Sequence, residues 1–133
     1  MKLRTRFARA GRRARRVPGT MNGSERRYAE TVLTPRQAKG EIDGWFFEAV
    51  TLKLAPDTRY TPDFMVVLDS GEVEFHEVKG GFMEDHSHVK IKVAAVLFPF
   101  RFWLAKERRK KDGGGFEIKE VGEPVPPAEK GEK

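Results

Sequence analysis

Alternation of apolar and polar residues in the middle of the chain predicts three strands. Aromatic and β-branched residues favour a strand from Trp45 to Leu54 that is covered on both faces. A second strand is predicted from Tyr60 to Leu68, interrupted early by Pro62, and a third from Glu72 to Lys79. The tight turn at residues 69–71 joins the last two strands, so we expect an antiparallel hairpin.

Helix signals precede these strands. Ser24 is a predicted N-cap for a short helix from Glu25 to Leu33, and Pro35 is expected to stop its continuation. Thr34 and Pro35 then have the spacing of a second helix start, which Gly40 closes. The sequence therefore predicts two short helical pieces before the first strand.

A further helix is predicted after the third strand. Ser87 can cap it, and it ends before Pro99. Lys90 and Lys92 project away from its apolar face, which is expected to pack on the sheet through Val89, Val93, Val96 and Leu97. The pattern then favours a short strand from Arg101 to Ala105 and a last strand from Phe116 to Val121.

The order helix, three strands, helix, strand predicts an α/β domain with a mixed central sheet flanked by helices. We expect a basic disordered arm over residues 1–21, one folded domain over 22–122 and a disordered tail over 123–133. No apolar run approaches the roughly 20 residues of a membrane span. The absence of cysteine excludes disulfides and thiolate metal sites, and a cytoplasmic location is expected.

Charge is concentrated in the predicted arm. Eight cations and no acid occur before residue 17, and removing them takes the net charge from +6 to −2. Such an arm is expected to bind nucleic-acid phosphates without reading sequence, in particular through Arg12, Arg13, Arg15 and Arg16. Two other interpretations stay open, that Met21 is the true start and that the segment is a transit peptide.

Candidate chemistry comes from the two strands of the hairpin. Asp63 begins one strand, and Glu77 and Lys79 end the next on a shared face, so the hairpin brings two carboxylates and an amine together. Oxygen ligands of this kind suit Mg²⁺, with Mn²⁺ as a substitute, and predict phosphodiester hydrolysis. The alternative is an ordinary Glu77–Lys79 ion pair beside an aspartate that ends a turn.

Other polar residues have two interpretations each. Glu48 is either a site residue or a structural partner of Arg59 or Lys53. Lys90 and Lys92 either approach phosphates or form a solvated face. The segment from Asp85 to His88 suggests a transition-metal site or a polar surface loop, while His76 points opposite to Glu77 and is expected to pack toward a helix.

These motifs resemble the PD-(D/E)xK nuclease superfamily, the restriction-endonuclease-like fold that includes archaeal Holliday-junction resolvases and small phage-borne endonuclease-like proteins. The resemblance covers residues about 22 to 120. It is carried by Ser24-Glu25, Tyr28-Ala29, Gly40-Glu41-Ile42, Trp45, Phe47-Glu48, Leu52, Leu54, Tyr60-Thr61-Pro62-Asp63-Phe64, His76-Glu77-Val78-Lys79-Gly80 and the segment from Val89 to Ala95.

The resemblance implies roles for individual residues. Asp63 and Glu77 would bind metal together with the main-chain carbonyl of Val78, and Lys79 would assist the attacking water. Glu25 would join the metal site from the first helix, with Glu30 as the reserve candidate. A homodimer is implied for cutting two strands.

The resulting hypothesis is a Mg²⁺-dependent DNA endonuclease acting on branched or junction DNA in phage or mobile-element metabolism. One alternative is the strand-cutting subunit of a transposon-end recombination complex, because transposon-end nucleases have a comparable Tyr-Thr-Pro-Asp-Phe and Glu-Val-Lys arrangement. The other is a catalytically inactive DNA-binding scaffold. Fold analogy alone does not choose among them.

Overall fold

The computed structural model describes residues 19–80 and 88–122. The predicted arm residues Arg12, Arg13, Arg15 and Arg16, the predicted tail, and Asp85, His86 and Ser87 lie outside the described residues. In chain order the elements are α1 (Gly23–Tyr28), a π-helical turn (Ala29–Leu33), α2 (Thr34–Ala38), β1 (Ile42–Phe47), β2 (Leu52–Ala55), β3 (Thr58–Tyr60), β4 (Phe64–Leu68), β5 (Val73–Lys79), α3 (Val89–Leu97), β6 (Arg101–Glu107), a 3₁₀ turn (Lys110–Asp112) and β7 (Phe116–Val121).

The first helical segment has Asn22 as its N-cap. The Asn22 side chain accepts a hydrogen bond from the Glu25 N–H at 2.8 Å, and the Glu25 side chain accepts one from the Asn22 N–H at 2.9 Å. The prediction of Ser24 as the N-cap is therefore wrong, because asparagine caps equally well and the glutamate three residues later completes a capping box. Glu25 still lies in the first turn.

The predicted stop at Pro35 is also wrong, since α1, the π-helical turn and α2 follow one another without a break. In the wider turn the Thr34 N–H bonds to the carbonyl of Ala29, five residues earlier. Pro35 then falls in the first turn of α2, where its missing N–H is tolerated. Gly40 follows the segment with a φ of 82°, as a closing glycine should.

Five strands form a mixed sheet in the order β1-β4-β5-β6-β7. The β5–β6 pair is parallel and the other three pairs are antiparallel. The predicted hairpin is confirmed, with Phe64 of β4 opposite His76 of β5. Helix α3 lies on the crossover between the parallel strands β5 and β6. The α/β class with a mixed central sheet is thus confirmed.

The strand predicted from Trp45 to Leu54 is in fact two strands. Strand β1 ends at Phe47, and Glu48 adopts a left-handed φ of 50°, which a residue with a side chain rarely takes. Strand β2 then pairs with β3 in a separate two-stranded sheet. Pro62 lies between β3 and β4, since proline cannot donate to a strand ladder. The structure therefore has five strands before α3, where the sequence predicted three.

Helix α3 presents a different face to the sheet from the predicted one. Ile91 and Ala94 are buried, and Ala95 and Phe98 pack beside them at the helical spacing i, i+3, i+4, i+7. The residues predicted to face the sheet are instead 38% to 82% exposed: Val89, Val93, Val96 and Leu97. Helix α3 thus has two apolar stripes. The buried stripe is the one that packs against the stacked Phe75 and Phe102 rings.

Each face of the main sheet has its own core. The face toward α1 is covered by Tyr28, Ala29, Leu33, Ile42, Phe64, Val66, Val78 and Ala105. The opposite face packs against α3 and the β2–β3 hairpin through Tyr60, Phe75, Ile91, Ala94 and Phe102. Over the two described ranges, no helix combines the length and apolar character needed to cross a membrane.

Candidate active site

Asp63 directly precedes β4 and therefore lies at the end of the main sheet where β4 begins and β5 ends. It is 8% exposed, and its Oδ2 accepts a hydrogen bond from the Val78 N–H of β5 at 2.8 Å. Its main-chain carbonyl accepts one from the Glu48 N–H at 2.8 Å. Contacts on both sides therefore fix the position of this carboxyl group.

Glu77 and Lys79 lie at the end of β5 and share the face turned toward the β2–β3 hairpin and α3. The Lys79 Nζ is 3.1 Å from Glu77 Oε2. The Tyr60 hydroxyl donates to Glu77 Oε1 at 2.7 Å. Both carboxylate oxygens of Glu77 thus have a donor, one from the adjacent lysine and one from the small hairpin.

Glu25 approaches the same place from α1. It is 3% exposed, and its Oε1 accepts a hydrogen bond from the Asn22 N–H at 2.9 Å. Its side chain is near enough to Asp63 to help raise the pKa of that carboxyl group. The structure therefore brings the predicted Glu25, Asp63 and Glu77 together, and we call these three residues the carboxylate cluster.

Electrostatics in the carboxylate cluster favour the neutral form of one acid. Burial raises the pKa of Asp63 well above its usual range, and the neighbouring charges of Glu77 and Glu25 raise it further. The hydrogen bond from the Val78 N–H acts in the opposite direction without cancelling these effects. Burial and the neighbouring Glu77 also raise the pKa of Tyr60, so its hydroxyl stays a donor.

The donor set of the carboxylate cluster fits a hard divalent cation, since carboxylate oxygens are the ligands that Mg²⁺ prefers. Burial first and the like charges of Glu77 and Glu25 second raise the pKa of Asp63, and a bound cation would offset both effects. As the side chains stand, however, no group of three or more His, Cys, Asp or Glu residues within 19–80 and 88–122 is arranged to hold a metal ion. Glu77 is turned to Tyr60 and Lys79, and Glu25 to Asn22.

A cavity of about 400 Å³ opens beside Glu77 and Lys79. The predicted phosphate-binding residue Lys90 lines it, and the Lys90 Nζ donates to the main-chain carbonyl of Arg59 at 2.9 Å. Three cationic side chains and one carboxylate therefore surround this space, whose full lining is Arg59, Tyr60, Thr61, Glu77, Lys79, Lys90 and Ile91. Such a lining suits an anionic group such as a phosphate.

Several other candidates lie away from the carboxylate cluster. The reserve residue Glu30 is exposed on the π-helical turn, and Lys92 is exposed on α3 and does not line the cavity. Glu48 adjoins Asp63 through its backbone, while its side chain accepts a hydrogen bond from the Gly19 N–H at 3.1 Å. Val78 enters the site through its N–H, and the ligand role of its carbonyl remains a prediction.

His76 packs toward α1, as predicted. It is 2% exposed, its Nδ1 lies 2.6 Å from the Tyr28 hydroxyl and its Nε2 lies 3.0 Å from Glu74 Oε2. The Trp103 indole N–H donates to Glu74 Oε1 at 3.0 Å. Of the histidine-containing segment near residue 86, only His88 is among the described residues.

Sequence reasoning did not assign Tyr60 and Arg59 to the site. Tyr60 could have been found from its position beside the Pro62-Asp63 motif. A buried tyrosine there needs a hydrogen-bond partner for its hydroxyl, and Glu77 provides it. Arg59 had no such signal, since it reaches the cavity only through the packing of the β2–β3 hairpin against α3.

Comparison with protein-family models, with curated proteins and with solved structures gives no match for this chain. The nuclease resemblance consequently rests on the motifs and the geometry around them.

Proposed function

We propose that this chain is a divalent-cation-dependent nuclease that hydrolyses phosphodiester bonds in DNA, with a restriction-endonuclease-like core. The observation that carries the proposal is the carboxylate cluster, in which Asp63 meets Glu25 and Glu77 beside Lys79. Structural acids are normally buried with opposite charges, whereas the buried Asp63 lies beside two further acids, one of which, Glu77, is paired with Lys79. Such an arrangement favours a site that receives a cation and a phosphate.

The residues of the chain would divide the work by position. Glu25, Asp63, Glu77 and the Val78 carbonyl would hold the cation, which when bound supplies Lewis-acid activation of the phosphate and lowers the pKa of a water. Lys79 lines the cavity beside Glu77, where its ammonium can orient the attacking water or stabilise developing negative charge.

The cavity would hold the substrate phosphate. Lys90 and Arg59 line the side of the cavity formed by α3 and the small hairpin, where they can bind the non-bridging oxygens. Tyr60 keeps Glu77 in place through its 2.7 Å hydrogen bond. Branched or junction DNA in phage or mobile-element metabolism is the substrate that the resemblance implies, and it belongs to the same proposal.

The test is cleavage of a panel of junction, flap, duplex and single-stranded DNAs with Mg²⁺ or Mn²⁺. Asp63→Asn should lower cleavage by about 10³-fold or more, because an anionic ligand is lost. Asparagine retains an acceptor for the Val78 N–H, so circular dichroism and the melting curve should show a folded protein. Asp69→Asn, an exposed aspartate at the opposite end of β4, is the matched control and should cleave normally.

Full activity in Asp63→Asn would overturn the assignment of this site. Binding of DNA by the wild-type chain without cleavage of any substrate would instead favour the inactive scaffold.

A further inference from the structure

Strand β6 ends at the same end of the sheet as the carboxylate cluster. Because β5 and β6 are parallel and in register, Lys79 is paired with Lys106. The chain leaves β6 at Glu107 and returns at Phe116, so the connecting loop projects from this end. A nucleic acid approaching Asp63 and Glu77 therefore passes close to the loop.

Helix α1 fixes the end of β6 beside Glu25. The Ser24 hydroxyl donates to Glu107 Oε1 at 2.6 Å, and the Arg27 guanidinium pairs with both carboxylate oxygens of Glu107. Ser24 and Arg27 flank Glu25 on the same helix. The start of the loop is thereby tied to the helical turn that supplies one carboxyl group of the cluster.

The loop itself is a compact, hydrogen-bonded turn. The Arg108 N–H donates to the Gly115 carbonyl at 2.9 Å, and the Gly114 N–H donates to the Arg109 carbonyl at 3.0 Å. Gly113 to Gly115 all have positive φ angles between 66° and 102°, which allow so tight a return. The backbone that carries these side chains is therefore held in place before any ligand arrives.

The loop is also strongly cationic. Residues 106–112 contain five lysines and arginines against two carboxylates, of which Glu107 is paired with Arg27 and Asp112 with Arg109. Residues 108–112 are all exposed. The negative charge of the carboxylate cluster repels an anionic polymer, so cations beside the cluster help to hold the polymer there.

We propose that the loop cations Arg108, Arg109, Lys110 and Lys111 bind the sugar-phosphate backbone of a nucleic-acid strand next to the position of cleavage. The proposal rests on the nuclease function proposed above. With Arg59 and Lys90 in the cavity and this loop at the end of β5 and β6, cations lie on two sides of the carboxylate cluster. Phosphate contacts position a strand without reading its bases, so this binding is sequence-independent.

The test is fluorescence anisotropy with short labelled DNAs of unrelated sequence over a range of salt concentrations, using the full chain. Lys110→Glu and Lys111→Glu should each weaken binding by about 5- to 10-fold at low salt and reduce the log–log salt slope by about 1. Lys111→Gln should give a smaller effect of the same sign. Lys39→Glu is the matched control, since Lys39 is exposed near the opposite end of the sheet.

Affinities and salt slopes of the Lys110 and Lys111 variants equal to those of Lys39→Glu would overturn the loop proposal. Cleavage by the wild-type chain, measured alongside, separates the two failures. Cleavage with no effect of the loop charges removes the loop proposal alone, whereas a wild-type chain that neither binds nor cleaves any substrate removes the nuclease function and the loop proposal together.

Discussion

Strand β5 contributes to two buried polar groups of opposite character. Toward α1, Glu74 and His76 join Tyr28 and Trp103 in what we call the Tyr28–His76 network. At the end of the strand, Glu77 joins the carboxylate cluster. Burial would raise the pKa of Glu74, but hydrogen bonds from His76 and Trp103 lower it overall, whereas burial and like charges together raise the pKa of Asp63.

The difference supports a structural role for the Tyr28–His76 network and the proposed metal-binding role for the carboxylate cluster. In the Tyr28–His76 network each buried polar atom meets a complementary partner, as expected of groups that only stabilise the fold. In the carboxylate cluster the buried Asp63 lies within the influence of two further acids, Glu77 and Glu25, an unfavourable arrangement that a bound cation would relieve. Changes in the first group should therefore alter stability, and changes in the second should alter metal binding and cleavage.

The largest expected effect is in the carboxylate cluster. Glu25→Gln should lower cleavage by about 10²-fold and weaken Mn²⁺ binding, because the neutral amide removes one anionic ligand. Glutamine keeps an acceptor for the Asn22 N–H and offers Asp63 a donor, so stability should change little. Cleavage rates and calorimetric titration with Mn²⁺ measure the two quantities separately.

Glu30→Gln is the control for this substitution, because Glu30 is exposed on the same helical segment. Equal effects of the Glu25 and Glu30 substitutions on Mn²⁺ affinity would contradict a metal role for Glu25. A loss of stability in Glu25→Gln with normal turnover would reduce Glu25 to its part in the capping box.

A smaller effect, on stability alone, is expected in the Tyr28–His76 network. Tyr28→Phe leaves the buried Nδ1 of His76 without its hydroxyl partner, which should cost about 1–3 kcal/mol of unfolding free energy. Urea unfolding measures the loss, and cleavage under conditions where the protein is folded should stay near normal.

Tyr60→Phe provides the matched comparison, since it also deletes one tyrosine hydroxyl from a buried hydrogen bond. It removes the donor that holds Glu77 and should reduce cleavage by about tenfold. If the two tyrosine substitutions changed stability and cleavage in the same proportions, the distinction between the two regions would fail.

Much of the site followed from the sequence because it depends on local rules. A tight turn between two alternating segments fixes the hairpin, and the hairpin in turn brings Asp63 near Glu77 and Lys79. Glu25 was placed by resemblance, and its first-turn position was correct although the predicted cap was not.

What the sequence did not reveal depends on packing between distant segments. Alternation of period 2 continues past Glu48, so nothing local marks the left-handed residue that ends β1. Helix α3 carries two apolar stripes, and only the shape of the sheet selects Ile91 and Ala94. The cavity beside Arg59 exists because the β2–β3 hairpin packs on α3, and that hairpin was not predicted.

The pH dependence of stability should also distinguish the two regions. Asp63 has a pKa raised above its ordinary value of 3.8, so the folded chain keeps a proton that the unfolded chain has released. Its contribution is lost as pH rises from about 4 to the raised pKa, with a slope of up to about 1.4 kcal/mol per pH unit. Burial lowers the pKa of His76 below 6.5, so its contribution is lost as pH falls below that value.

Urea unfolding between about pH 5 and about pH 8 should resolve these opposite trends. The wild-type chain should lose stability above about pH 6.5, whereas Asp63→Asn should gain it up to about pH 6.5 and then stay level, and Asp69→Asn should follow the wild type. Excess Mg²⁺ should stabilise the wild type most at high pH, because the ionised carboxylate cluster binds the cation in the folded state only. A constant difference between the wild-type and Asp63→Asn curves across this range would mean that Asp63 titrates normally, and the contrast with the Tyr28–His76 network would then have no electrostatic basis.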